Sequence, residues 1–269
     1  MDTVLVDNKN IQEVFYQMLC PSLQQSTRVL CLSARSGKGK STIVDYFSEY
    51  CQKCAVLPIR LDFDAFHISN ELELIDTIID QFSAFQKFNN AFFNYRESIK
   101  NLALTSAGNT VIQNVDLWQT QIGTIHIQRD RQGANTQLNY IEDTFFQDLK
   151  CAAQSYGPIV FLLDAFECAS ANIQEWVRKK LILSKALGPN IIVVIAGQEE
   201  LAFPSKTACV YGIKAFHLPD AYGFEDWIEY GKKLKIANIE TIKKCYRCWK
   251  GDPFYMCVAL KPFANEGDI

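Results

Sequence analysis

Histidine is scarce in this chain of 269 residues: His67, His126 and His217 are isolated, and no two stand at a metal-ligand spacing. That argues against a histidine-built metal centre. No apolar run approaches the roughly 20 residues a membrane-spanning helix needs. The first residues, Met1 to Asp7, have neither a basic stretch nor an apolar core, so they do not read as a signal peptide. One-sided charge is missing as well. With 27 Lys+Arg against 30 Asp+Glu, the net charge of −3 gives no electrostatic argument for nucleic acid or for an acidic membrane.

What is present is an ordinary globular composition, 48% hydrophobic and 21% charged. The length suits one large α/β domain, or one domain with an appendage. The ten cysteines fall mostly inside expected strands and helices, Cys31, Cys151 and Cys257 among them. That distribution is expected of reduced, buried thiols in a cytoplasmic protein. Two C-x-x-C pairs, Cys51/Cys54 and Cys245/Cys248, lie far apart and at helices, which favours unrelated thiols over a shared zinc.

The strongest local signal is Ala34-Arg35-Ser36-Gly37-Lys38-Gly39-Lys40-Ser41, followed by Thr42. It fits the phosphate-binding loop G-x-x-x-x-G-K-[ST] at every fixed position but the first, where Ala34 replaces glycine. Residues 28–33 before it read as a buried strand and residues 41–48 after it as a helix. Strand, loop and helix in that order aim successive backbone N–H groups and the positive end of a helix dipole at one anion. Ser36 to Thr42 are the candidate phosphate-binding residues. Lys40 is placed to reach the β- and γ-phosphates, and the Ser41 hydroxyl to ligate Mg²⁺. Alanine at position 34 disfavours a positive φ, which glycine would take freely.

Helical periodicity runs over residues 8–20 and strongly over residues 71–85. Residues 54–62 read as a strand that Pro58 pushes toward a sheet edge or a bulge. Residues 86–138 are rich in Asn, Gln and Thr and read as an irregular insertion, partly helical near 92–104, with a helix resuming over 140–156. Residues 158–164 and 190–196 are continuous apolar runs, as expected of parallel strands covered on both faces. Between them residues 173–187 read as a helix, and residues 210–218 look like a last, weaker strand. The alternation predicts an α/β fold: a doubly wound, mostly parallel sheet of about five strands over residues 1–220. Three short helices over 222–233, 238–249 and 253–262 predict a small C-terminal helical appendage over residues 221–269.

The candidate Mg²⁺ acid is Asp164, at the end of an apolar strand on the sheet edge that carries the phosphate loop. Glu167, three residues on, is the candidate to activate water. Asp62 and Asp64, at the end of the preceding strand, are a rival acid set. Gln198 follows the next strand and can position water or phosphate by hydrogen bonds, though a plain surface loop explains it equally. No N-K-x-D string follows the acid strand, which favours adenine over guanine.

Together these motifs resemble the STAND class of signal-transduction ATPases, the group of NB-ARC and NACHT switches. The resemblance rests on the phosphate loop, the D-x-x-E of Asp164 and Glu167, the strand end Ala196-Gly197-Gln198, and the G-x-P of Gly251-Asp252-Pro253. It implies ATP or ADP with Mg²⁺, slow hydrolysis, self-association, and a separate effector or sensor. It further implies that Pro253 contacts the base or ribose and that Val6 to Asn8 line the adenine pocket. The sequence departs from the pattern at Ala34 and at Gln198, where many members carry arginine. No winged helix, repeat array or recognisable effector follows the G-x-P, so the expectation is a fragment of a longer protein or a reduced member of the class. Two other functions fit the residues. One is a non-hydrolysing scaffold that keeps its nucleotide; the other is a small-molecule or polynucleotide kinase, with Arg129 and Arg131 in a lid.

Overall fold

Five strands form one sheet: β1 (Val29–Ser33), β2 (Leu57–Asp62), β3 (Ile159–Asp164), β4 (Ile191–Gly197) and β5 (Ile213–His217). Their order is β2-β3-β4-β1-β5 and every pairing is parallel. The computed structural model describes the chain except residues 1–4, 7, 21–26, 86, 87, 89, 107–130, 185, 186, 237 and 265–269.

The apolar runs become central strands because they are buried on both faces. In β1, Leu30 and Leu32 join one core and Val29 and Cys31 the other. The first core is closed by α1 (Lys9–Leu19) and α2 (Lys40–Lys53), whose Phe15 and Phe47 rings stack with centroids 3.8 Å apart. The second lies under α3 (Glu71–Ser83), α4 (Phe93–Ser106), α5 (Arg131–Tyr156) and α6 (Ala171–Trp176). There Phe82, Phe92 and Phe145 meet Ile59, Phe161 and Val193. The doubly wound, parallel α/β architecture is the one the sequence predicts.

Pro58 does lie on an edge strand. The outward edge of β2 is also covered, since the Gln81 amide accepts from the Arg60 N–H at 2.8 Å and donates to the Arg60 carbonyl at 2.6 Å. A side-chain amide thus satisfies backbone groups that a bare edge would leave open.

Three expectations change, and a fourth falls partly outside the described residues. The helix expected from residue 140 begins at Arg131, because extending a formed helix adds one hydrogen bond per residue fixed. Of the insertion read over residues 86–138, residues 86, 87, 89 and 107–130 lie outside the described residues, and the expected partial helix near 92–104 is α4. The run over 173–187 divides into α6 and a π-helical turn, Val177–Ile182, whose last carbonyls accept from the Arg28 guanidinium. The strand expected from residue 210 starts only at Ile213. Residues Ser205–Tyr211 form the helix α7, which Gly212 ends at φ +61°. A short apolar run does not by itself tell helix from strand.

The thiols are less buried than expected. Only Cys31 and Cys51 are buried, while Cys20, Cys54, Cys151, Cys168, Cys209 and Cys248 are exposed. Residence in an amphipathic helix does not decide which face a side chain takes. All ten are unpaired, and among the described residues no three His, Cys, Asp or Glu side chains gather as metal ligands. No described helix is long and apolar enough to cross a membrane.

Beyond β5, α8 (Phe224–Lys233), α9 (Ile239–Trp249) and α10 (Pro253–Leu260) surround the fully buried Trp227. Its indole N–H donates to the Gly251 carbonyl at 3.3 Å. Gly251 has φ +79°, and an added Cβ would lie 2.1 Å from the Tyr222 carbonyl oxygen, so only glycine fits this turn.

One titratable group ties the second core to pH. Asp76 on α3 accepts a hydrogen bond from the Tyr95 hydroxyl at 2.9 Å. Burial, aided by the charges of Asp80 and Glu73, pushes its carboxyl up to about 6 against the opposing pull of Tyr95. A raised carboxyl pKa means that the folded state holds the proton more tightly than the unfolded one. Stability is therefore lost as pH rises from about 4 through about 6. Asp76→Asn should raise stability at pH 8 by roughly 1–2 kcal/mol relative to the parent, with the gap closing below about pH 4. Urea denaturation at both pH values measures it, and an equal difference at both would refute the assignment.

Candidate functional site

The buried strand β1 delivers the chain to the C-terminal edge of the sheet, where it turns through residues 34–39 into α2. Gly37 and Gly39 take φ of +77° and +90°, conformations that side chains resist. Ala34 does not. It is absent from the residues with positive φ, is 1% exposed, and donates its N–H to the Gly197 carbonyl at 3.3 Å. The strain expected of alanine at this position is therefore not there.

Lys40 opens α2 and is 7% exposed. Its ammonium donates to the carbonyls of Ala34 at 2.6 Å and Arg35 at 3.0 Å, inside its own loop. Burial lowers its pKa, and the charges of Glu167 and Asp164 work against that. Ser36, Ser41 and Thr42 are exposed on the loop and the first turn of α2.

Asp164, at the end of β3, is 2% exposed. Its Oδ1 accepts from the Ala165 N–H at 2.9 Å, and Oδ2 lies 3.6 Å from an Arg60 guanidinium nitrogen. Burial raises its pKa and the charge of Asp62 adds to this. Hydrogen bonds from Ser41 and Ala165, with the charge of Arg60, oppose it. So the Ser41 hydroxyl, in the first turn of α2, hydrogen-bonds the Asp164 carboxylate at the end of β3, although β4 lies between β3 and the strand β1 that leads into α2. Hydroxyl and carboxylate are hard oxygen donors of the kind Mg²⁺ takes, so the pair fits the expected ion. Of the rival acids, Asp62 stands opposite Asp164 in the β2–β3 register, and Asp64 is exposed beyond the strand end.

Glu167 lies on a 3₁₀ turn, Phe166–Cys168. Its Oε2 accepts from the Gln198 N–H at 3.0 Å, and a Cβ added at Gly197 would lie 3.2 Å from it. The D-x-x-E acid and the end of β4 are thus one hydrogen-bonded unit, with Gln198 held through its backbone.

The helical group touches the phosphate loop directly. Lys38 donates to the Asp220 carbonyl at 2.9 Å and to Asp252 Oδ2 at 2.5 Å. Asp252 is the N-cap of α10, its other oxygen accepting from the N–H groups of Phe254 and Tyr255. Burial raises the Asp252 pKa, but the Lys38 hydrogen bond and charge and the two backbone N–H groups outweigh it and hold the carboxyl below its ordinary value. The Phe254 side chain covers Gly37, where an added Cβ would lie 3.4 Å away.

Beside the loop, a cavity of about 480 Å³ is bounded by Asn8, Ile11, His217, Leu218 and Tyr222 among others. The His217 ring nitrogen Nδ1 lies 3.1 Å from the Ser33 hydroxyl, and the Tyr222 hydroxyl donates to Asn8 at 3.2 Å. Val6 and Pro253 are both buried, Val6 with Tyr222 and Trp227, and neither lines this cavity.

No family model matches the chain and no curated protein matches it. Among solved structures it is similar to Cdc6p from Pyrobaculum aerophilum, at 12% identity and a TM-score of 0.43. The match covers 85% of this chain and 50% of that one, so the chain spans about half the length of that neighbour. Likeness of this degree carries no argument about activity.

Sequence reasoning named Lys38 only as a phosphate ligand and missed Asp252 as its partner. The usable signal was Asp252 before Pro253, an N-cap followed by proline in the first helical turn. Nothing in the sequence announces Phe254 or His217. Of the lid arginines, Arg129 lies outside the described residues and Arg131 begins α5.

The Lys38–Asp252 pair, with side chains 13% and 27% exposed, should couple the helical group to the loop. Asn keeps an N-cap, so Asp252→Asn removes charge while retaining the cap. In a double-mutant cycle with Lys38→Met, the two changes should show a coupling of about 1 kcal/mol by urea denaturation. Strict additivity would mean that the contact has no energetic content.

Proposed function

We propose that this chain is an ATP-binding, slowly hydrolysing molecular switch of the STAND type, in which nucleotide state controls conformation and self-association. The observation that carries this reading is that one loop engages both itself and the helical group: Lys40 is bonded to the loop's own carbonyls, while Lys38 is bonded to Asp252 and Phe254 covers Gly37. Phosphate bound at such a loop acts on contacts that seat the helices, which is what a switch requires.

The backbone N–H groups of Ser36 to Thr42 and the Lys40 ammonium bind the phosphates. Ser41 and Asp164 would hold Mg²⁺, which when bound neutralises charge on the phosphate oxygens. Glu167 accepts the proton of the attacking water, and Gln198 lies beside it at the end of β4. The cavity lined by Asn8, His217 and Tyr222 is adjacent to the loop and large enough for a nucleobase. A separate effector or sensor is part of the same reading.

A second reading has its own support. Glu167 Oε2 already accepts a hydrogen bond from Gln198, and a carboxylate so engaged is a poorer base. That favours a scaffold which retains nucleotide without turnover.

Mass spectrometry of small molecules released by denaturing the purified protein should find ADP or ATP at about one per chain, and no nucleotide in Lys40→Ala. Absence of nucleotide from the parent, together with no binding of added ATP and Mg²⁺, would remove the proposal. Glu167→Gln should keep ATP binding and lower turnover by about 10²–10⁴-fold in a single-turnover assay. A parent that binds ATP without hydrolysing it selects the scaffold, and transfer to an added acceptor selects a kinase.

A further inference from the structure

Ser41 and Asp164, the two donors that fit Mg²⁺, belong to different elements, and one further side chain reaches both of those elements. It is Arg60, on the outer strand β2. Ile59 and Leu61 face the second core, so Arg60 projects from the opposite side, where α2 packs across β2 and β3. Its Nη1 donates to Oδ1 of Asp45, which lies on α2 one helical turn beyond Ser41. Its Nη2 stands 3.6 Å from Oδ2 of Asp164. Asp62, two residues along β2, is turned instead to the Asp64 N–H at 3.1 Å.

A side chain can brace two elements only if its own backbone is held. Gln81 of α3 holds it, accepting from the Arg60 N–H and donating to the Arg60 carbonyl. The Arg60 Nε is buried without a hydrogen-bond partner. A buried donor left open costs stability, so the guanidinium is placed to suit its two acids rather than its own hydrogen bonding.

The two contacts are unequal. At 3.6 Å the approach to Asp164 is an ion pair longer than a hydrogen bond, so Arg60 takes no lone pair from Oδ2. The hydrogen bond goes to Asp45, whose charge offsets that of the guanidinium. A residue that plugged the cation position would bond Asp164 and merely approach Asp45.

We infer that Arg60 is a positioning residue: braced on Asp45, it holds α2 and the end of β3 at the spacing that brings Ser41 and Asp164 to one cation. The inference rests on the nucleotide reading above and adds to it a residue that lies outside the phosphate loop and the D-x-x-E. Lysine is no substitute, because its ammonium is a point charge and not a planar fork that meets two acids on different elements.

Mn²⁺ is the probe, with free and bound ion distinguished by electron paramagnetic resonance of the full chain saturated with ADP. Arg60→Lys keeps the charge and should weaken Mn²⁺ binding about tenfold, as loss of a group behind a metal ligand commonly does. ADP affinity measured in EDTA should be unchanged, since the phosphate loop is untouched. Asp45→Ala should also weaken Mn²⁺ binding. The two changes together should cost no more than the larger one alone, because both remove the same brace. If Arg60→Lys melts early, Gln81→Leu takes its place and should weaken Mn²⁺ binding while altering no charge and touching neither acid. Mn²⁺ binding that is unchanged or tighter in Arg60→Lys overturns the inference, and so do additive losses in the pair. An equal loss of ADP affinity in EDTA overturns it too, since the damage is then general. A parent that binds no ADP removes the nucleotide reading and this inference together. A parent that binds ADP, with Mn²⁺ affinity indifferent to Arg60, removes this inference alone.

Discussion

A parallel sheet brings the C-terminal ends of all its strands to one edge, and everything chemical in this molecule depends on that. Because β1 to β5 run the same way, the phosphate loop, Asp62, Asp164, the Gly197-Gln198 turn and His217 emerge side by side from segments far apart in sequence. The strands reach that edge rigidly because both faces are filled, Leu30 and Leu32 against α1 and α2, Val29 and Cys31 against the opposite helices. A side chain at such a strand end is positioned by the packing of the whole sheet rather than by its loop.

Two charged groups at this edge are buried, and burial sets their character. Desolvation lowers the Lys40 pKa and the charges of Glu167 and Asp164 oppose it; desolvation raises the Asp164 pKa and Ser41, Ala165 and Arg60 oppose it. Buried charges persist only where neighbours compensate them. In each case part of the compensation comes from another element, so the electrostatics of these two groups are a property of the assembled edge. The loop is also a junction. Its two left-handed glycines leave Lys38 and Lys40 pointing to different partners, one to the helical group and the other to the loop's own carbonyls.

How much of this was legible in the sequence depends on the range of the interaction. The phosphate loop, the two central strands after residue 158 and the three terminal helices follow from local pattern, and the edge position of β2 from Pro58 alone. The weak strand after residue 210 was misplaced, because Val210 and Tyr211 suit a helix turn as well as a strand and only Gly212 marks the break. The buried cysteines were over-counted for a related reason: periodicity assigns a helix but not, for a single residue, its face. The alanine at position 34 looked unfavourable because a motif records residue types and not the φ each position needs.

The sequence by itself determined the class of the fold, the loop that matches a phosphate-binding pattern, and the acids at the neighbouring strand ends, since each is written in short-range spacing. The tertiary structure alone decided that Ser41 in the first turn of α2 meets Asp164 at the end of β3, that Glu167 is bonded to Gln198, and that Lys38 reaches Asp252, 214 residues away. It also decided that Arg60 stands between Asp45 on α2 and Asp164 on β3. These are long-range juxtapositions. They arise from strand order and from which helix face finds a core, and no local periodicity encodes either.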